Sequence, residues 1–216
     1  SSALAFGGRG GSGRTSCTEE YNGTAWTTGG ALNQIRDNVA GAGTANAALA
    51  FGGYCFGDGG DQTSTERYDG TSWSTTTPLN VTGRAMGGNG TQNAALASGG
   101  VNRDLCTEEY AGPATTYAPK KTFDYDNTTG NIDVTGSSNF TGSMDVSGSA
   151  AISTLLSGGG TKSWATGGAL AQSRYALGGA GIQTAGLAFG GKGEVLGVAN
   201  YLTCTEEYDG TSWSGG

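Results

Sequence analysis

Four near-copies of one ten-residue phrase constrain this 216-residue chain more than any other feature it carries. CTEEYNGTAW occupies 17–26, STERYDGTSW 64–73 and CTEEYDGTSW 204–213, while a copy altered after its tyrosine, CTEEYAGPATTY, occupies 106–117. A second phrase keeps step with the first: ALAFGG at 3–8 and 48–53, ALASGG at 95–100 and GLAFGG at 186–191. Leu4, Leu49, Leu96 and Leu187 are therefore 45, 47 and 91 residues apart, the last step being a double one. The aromatic closing the first phrase (Trp26, Trp73, Tyr117, Trp164, Trp213) advances by 47, 44, 47 and 49 residues. A fixed period of this length means stacked supersecondary units, and the spacing predicts five of them.

Each unit also holds a third segment, ALNQIRDNVAGAGTANA at 31–47, echoed at 78–94 and 169–185. Short apolar runs punctuated by glycine read as strands and tight turns, and the 43 glycines exclude helical repeats. About four strands per unit is the size of one propeller blade. The expected fold is all-β: a single domain over 1–216, built as a compact β-propeller of five blades. Solenoid stacking is the alternative. Trp26, Trp73, Trp164 and Trp213 are expected to be buried between blades, with Tyr117 standing in for a missing indole. A closed ring would bring the termini together. Cys17, Cys106 and Cys204 share one repeat position, which predicts reduced, buried thiols at matching depth, too far apart to pair. Cys55 has no counterpart. The chain opens inside a repeat, so a native N-terminal segment is expected to precede it.

A Gly-Gly after an apolar strand, then Tyr, then Trp, then an Arg opening the next strand resembles the kelch-type propeller repeat over roughly four of the five units. The resemblance implies a propeller fold. The spacing departs from it: Tyr21–Trp26, Tyr68–Trp73 and Tyr208–Trp213 each enclose four residues where kelch repeats place six, and only Tyr110–Tyr117 keeps six. The shortened turn resembles the compact repeats of phage virion proteins. Residues 118–157 break the pattern with a six-residue period from Asn127 (NTTGNI, DVTGSS, NFTGSM, DVSGSA, AISTLL), carrying Val134, Phe140, Val146 and Ile152. These hexads resemble phage tail-fibre shaft repeats. The segment is read as a diverged blade, with a tail-fibre-like insert as the alternative.

Composition narrows the chemistry. With no histidine, Ser-His-Asp and Cys-His catalysis and imidazole metal sites are excluded, and so is the copper chemistry of galactose oxidase, a kelch-type enzyme. A net charge of −7 without a Lys/Arg cluster disfavours nucleic acid, and no apolar run reaches membrane-spanning length. The carboxylate pairs Glu19–Glu20, Glu108–Glu109 and Glu206–Glu207 are adjacent on strands. They point to opposite faces and cannot clamp one glycosidic bond. One of each pair is expected to face solvent and the other to meet Arg36, Arg84 or Arg174, because a buried guanidinium needs an acceptor. Asp58 and Asp61 in YCFGDGGDQ could hold Ca²⁺, but Asp and Gly are equally the residues of turns. No cofactor or metal is expected.

Function is then expected in the variable loops after the double glycines. They supply Arg9, Arg14, Tyr54, Phe56, Asp58, Asp61, Asn102, Arg103, Lys192 and Tyr201, aromatic faces and hydrogen-bonding groups suited to sugar rings. Together with the resemblance, this implies a non-enzymatic virion-surface or tail-fibre protein, outside the cell and within a larger assembly, that binds a host glycan or another virion protein. A purely architectural capsid or appendage subunit is the alternative, and a carboxylate-based glycoside hydrolase the least favoured.

Overall fold

The computed structural model describes residues 2–11, 13–57, 59–103, 105–112, 122–126, 131–135, 162–195 and 198–216. The chain divides into two units, one of Ser1–Pro113 with Thr161–Gly216 and one of Ala114–Gly160. In the second unit, strands Thr122–Asp126 and Asn131–Thr135 form an antiparallel hairpin. Tyr117 and most of the hexad segment lie outside the described residues. Among those described there are strands and turns but no helix.

The first unit is a row of four antiparallel sheets. The second sheet shows the repeat in full: Ala40–Thr44, Ala47–Phe51, Thr65–Tyr68 and Trp73–Thr76, each paired with the strand before it. The third sheet uses Gly87–Thr91, Ala94–Ser98, Thr107–Ala111 and Ser163–Thr166, and the fourth uses Gly178–Ile182, Ala185–Phe189, Thr205–Tyr208 and Trp213–Gly215. The first sheet has three strands, Ala3–Phe6, Thr18–Tyr21 and Trp26–Thr28. Small hairpins interrupt the first, second and fourth sheets between the strands flanking the double glycine.

The tight turn explains the short Tyr–Trp spacing. Tyr68 pairs directly with Trp73, and the four residues between them are closed by Asp69, whose Oδ1 accepts the N–H groups of Thr71 and Ser72 at 2.9 and 2.8 Å. Those bonds hold the Asp69 carboxyl below its usual range. Gly70 supplies φ of +93°, a conformation that costs glycine little. Asp209 and Asn22 cap the equivalent turns.

The third sheet corrects the expected unit count. Tyr110 pairs with Trp164, just as Tyr68 pairs with Trp73. Trp164 is therefore the outer aromatic of the third sheet, not the mark of a further blade, and 112–162 is an insertion where the other sheets have a four-residue turn. The repeat accounts for four sheets among the described residues.

Alternation buries both faces of each central sheet. In the second sheet Leu49, Phe51, Thr65 and Arg67 share one face, and Ala48, Ala50, Glu66 and Tyr68 the other. The second face packs with Trp73 against Leu4 and Phe6 of the first sheet. Leu49 and Phe51 pack against Ala95, Ala97, Tyr110 and Trp164, and Leu96 packs against Ala188, Tyr208 and Trp213. Polar contacts repeat where the second sheet reaches back to the first and the fourth to the third, while between the second and third the Tyr110 and Thr76 hydroxyls share a bond instead. Trp73 Nε1 donates to Thr18 Oγ1 at 2.9 Å and Trp213 Nε1 to Thr107 Oγ1 at 3.0 Å. The Tyr68 and Tyr208 hydroxyls donate to Glu20 and Glu109. Phe6 meets Trp73, and Phe51 meets Trp164, edge to face at 5.0 and 5.1 Å between centroids; such pairs add about 0.5–1.5 kcal/mol beyond the area they bury.

The leading strands of sheets two, three and four run side by side. Glycine permits this approach, since a Cβ on Gly88 would stand 2.5 Å from the Gly41 carbonyl oxygen. Asn89 Nδ2 donates across the seam to the Ala180 carbonyl.

Two expectations about burial are overturned. Trp73, Trp164 and Trp213 are buried, but Trp26 is 51% exposed, because among the described residues no sheet covers that face of the first. Cys17, Cys106 and Cys204 are free thiols, yet Cys17 and Cys204 are exposed and Cys106 is half-buried. Their position immediately precedes the strand, where alternation no longer fixes depth; Cys55 is the buried one.

Candidate functional site

Most carboxylates of the repeated phrase are taken up by structure, while Glu19 and Glu207 are exposed. Arg36 Nη2 lies 2.6 Å from Glu66 Oε1, and its Nη1 donates to the Gly52 and Ser64 carbonyls. Arg174 does the same with Glu206 at 2.6 Å and the Gly190 and Cys204 carbonyls. Burial pulls the Arg36 guanidinium below its ordinary pKa, and Glu66 opposes that shift. The other glutamates, Glu20 and Glu109, accept the tyrosine hydroxyls of the next sheet. Burial foremost, then the bond to Glu109, pushes the Tyr208 hydroxyl up to about 12.

In the third sheet the expected arginine is the wrong one. Arg84 pairs with Asp61, whereas Arg103 lies 2.7 Å from Glu108. Gly83 stands where the other units have Arg36 and Arg174, and the Arg103 stem fills the space its missing side chain leaves. Arg103, expected in a binding loop, is thus 3% exposed and belongs to the interior.

The remaining loop residues gather in part. A cavity of about 400 Å³ at the double-glycine end of the first three sheets is lined by Arg9, Arg14, Asp37, Asn38, Tyr54, Phe56 and Arg84. Its floor is the Tyr54 ring, with the Arg14 and Arg84 guanidinium carbons 4.7 and 4.9 Å from the ring centre. Each cation–π contact contributes about 0.5–1 kcal/mol at an exposed site. Tyr54 is fixed by backbone bonds in both directions with Asp37, at 2.8 and 3.1 Å. Arg14 Nε lies 2.9 Å from Asp37 Oδ2. Arg84 is held by Asp61, which also accepts Asn102 Nδ2 at 2.5 Å.

Three guanidiniums thus meet two carboxylates, and among the described residues Arg9 has no carboxylate partner. Phe56 stands 79% exposed at the rim. Such a site can take an anionic group on Arg9 and a flat apolar surface on Phe56. Lys192 and Tyr201 lie elsewhere, on the hairpin of the fourth sheet, with the Lys192 ammonium 5.1 Å from the Tyr201 ring centre. Asp58 lies outside the described residues. No group of acidic or thiol side chains that could hold a metal occurs among those described.

Sequence reasoning missed Asp37, Asn38 and Arg84 as pocket residues. The signal for Arg84 was present: Arg36 and Arg174 each follow a leucine by four residues, while Arg84 follows Leu79 by five. That one-residue offset turns it from the interior to the pocket. The sequence matches no protein-family model and shows no significant similarity to a curated protein, so the geometry carries the functional argument.

Proposed function

We propose that this chain is a non-enzymatic recognition module of a virion surface or tail fibre, whose sheets are kelch-like propeller blades and whose ligand is a host glycan bearing a carboxylate or sulfate. The observation that supports this is the convergence of Arg9, Arg14, Tyr54 and Phe56, from the loops of two sheets, on one cavity. An anionic sugar offers a charge for Arg9 and an apolar ring face for Phe56. Tyr54, Arg14 and Arg84 form a support already ordered before binding, which lowers the entropic cost of association. A catalytic role draws no support, because the buried glutamates are committed to arginines and Glu20 and Glu109 to tyrosines, and the exposed Glu19 and Glu207 stand on different sheets, the first and the fourth.

The test is an array of neutral, sialylated, uronic-acid and sulfated glycans probed with the isolated chain. Binding should be confined to the anionic set and fall about tenfold or more in Arg9→Ala and Phe56→Ala, a loss of at least ~1.4 kcal/mol. Host-cell adsorption should fall in parallel while particles still assemble. Preference for neutral sugars, or failed assembly in these variants, would overturn the reading.

A further inference from the structure

We propose that copies of this chain associate head to tail, the first sheet of one copy stacking on the fourth sheet of the next. The inference is independent of the glycan reading and rests on the contact already repeated inside the chain. Each internal interface has two halves. Between the first two sheets the forward half carries Leu4, Phe6, Thr18 and Glu20; the second sheet puts Arg67 in the glutamate's place and the third Ser98 in the phenylalanine's. The backward half carries Ala, Ala, Tyr and Trp, as in Ala48, Ala50, Tyr68 and Trp73 of the second.

Both halves occur once more at the ends of the row, without a partner among the described residues. In the fourth sheet Gly186, Ala188, Glu206 and Tyr208 are buried against the third sheet, while Leu187, Phe189, Thr205 and Glu207 on the opposite face are half-buried or exposed. Phe189 is 42% exposed, and Leu187 and Glu207 line an open hollow of about 390 Å³. This is a forward half with nothing on it. In the first sheet Ala3, Ala5 and Trp26 are exposed and Tyr21 half-buried. That is an unused backward half.

Stacking one on the other sets the Trp26 ring against Phe189, its Nε1 on Thr205 Oγ1, and the Tyr21 hydroxyl on Glu207. Each of these contacts already exists between the first and second sheets. The two surfaces differ, so the contact is heterologous and generates a closed ring or an extended fibre according to the angle between copies. It also covers apolar area that is otherwise wet. Glu19, at the place Glu66 holds, has no arginine beside it among the described residues, and is the one charge the contact would bury uncompensated.

Sedimentation velocity of the whole chain over a wide concentration range tests this. The wild-type chain should associate as concentration rises. Trp26→Asp removes the backward surface and Phe189→Asp the forward one, and each variant alone should be monomeric with an unchanged circular dichroism spectrum and melting temperature. Mixed in equal amounts, they retain one good surface of each kind and should form a dimer and nothing larger. Glu19→Gln should tighten association severalfold. A wild-type chain monomeric at every concentration would overturn the proposal. So would a mixture that stays monomeric, which marks a symmetric contact. So would a monomer whose Trp26 fluorescence resists acrylamide, which marks closure of the row on itself.

Discussion

Arg36, Arg103 and Arg174 reach the same carboxylate position from two different places in the chain, which shows that the position itself matters and not the arginine's place in the repeat. A glutamate wholly removed from water must keep its partner. Losing one member of such a pair costs about 3–5 kcal/mol, because the other charge stays buried. Glu66→Ala should therefore lower the unfolding free energy by about that much in a denaturant titration. Glu19→Ala, the same repeat position in the exposed first sheet, should change it by no more than about 0.5 kcal/mol in the dilute chain. Tyr208 sets an alkaline limit. An unfolded tyrosine ionises near 10, whereas in the folded chain Tyr208 holds its proton up to about 12. The folded pKa is the higher one, so this contribution is intact below about pH 10 and is lost as pH rises towards 12. Denaturation midpoints measured across that window should fall, and Tyr208→Phe should flatten the fall.

At the scale of the element, the hairpin that joins the third and fourth strands is closed by local chemistry alone: an Asp or Asn cap, a glycine at positive φ, and a tyrosine facing a tryptophan. This much was legible, since the turn between Tyr and Trp reads DGTS twice and NGTA once, keeping the cap and the glycine each time. The insertion was not legible, because the distance from Tyr117 to Trp164 equals one repeat and hides the fact that Trp164 answers to Tyr110. Strand pairing settles it, and periodicity cannot. Replacing 111–163 with Asp-Gly-Thr-Ser would rebuild the turn of the second sheet between Tyr110 and Trp164. The shortened chain should fold with a melting temperature within a few degrees of the parent, and Trp164 should remain protected from acrylamide. Loss of folding would show that the third sheet depends on the insertion.

For the molecule as a whole, the sequence conveyed the all-β architecture, the order of strands and the burial of three tryptophans, because period-two alternation and glycine placement are local. It could not convey which faces lie at the ends of the row. Trp26 closes the same repeated phrase as Trp73 and Trp213, but among the described residues no sheet covers its outer face. The pocket was half legible for a related reason: loops that follow the double glycines could be named, but which loops converge depends on the stacking of sheets.

The sameness of the stacking contacts bears on how such a chain can change over generations. Misaligned recombination between two copies of CTEEY, at 17–21 and 204–208 or at 106–110, joins the strand before one copy to the turn after another. Both sides of the junction occupy the same place in their sheets, so the product gains or loses whole sheets and never a fraction of one. The new neighbours meet through Trp on Thr and Tyr on Glu, contacts the protein already makes. Copy number is therefore free to drift while the fold of each sheet is held fixed, and the loops carried along with each sheet supply a changing set of surfaces on an unchanged frame.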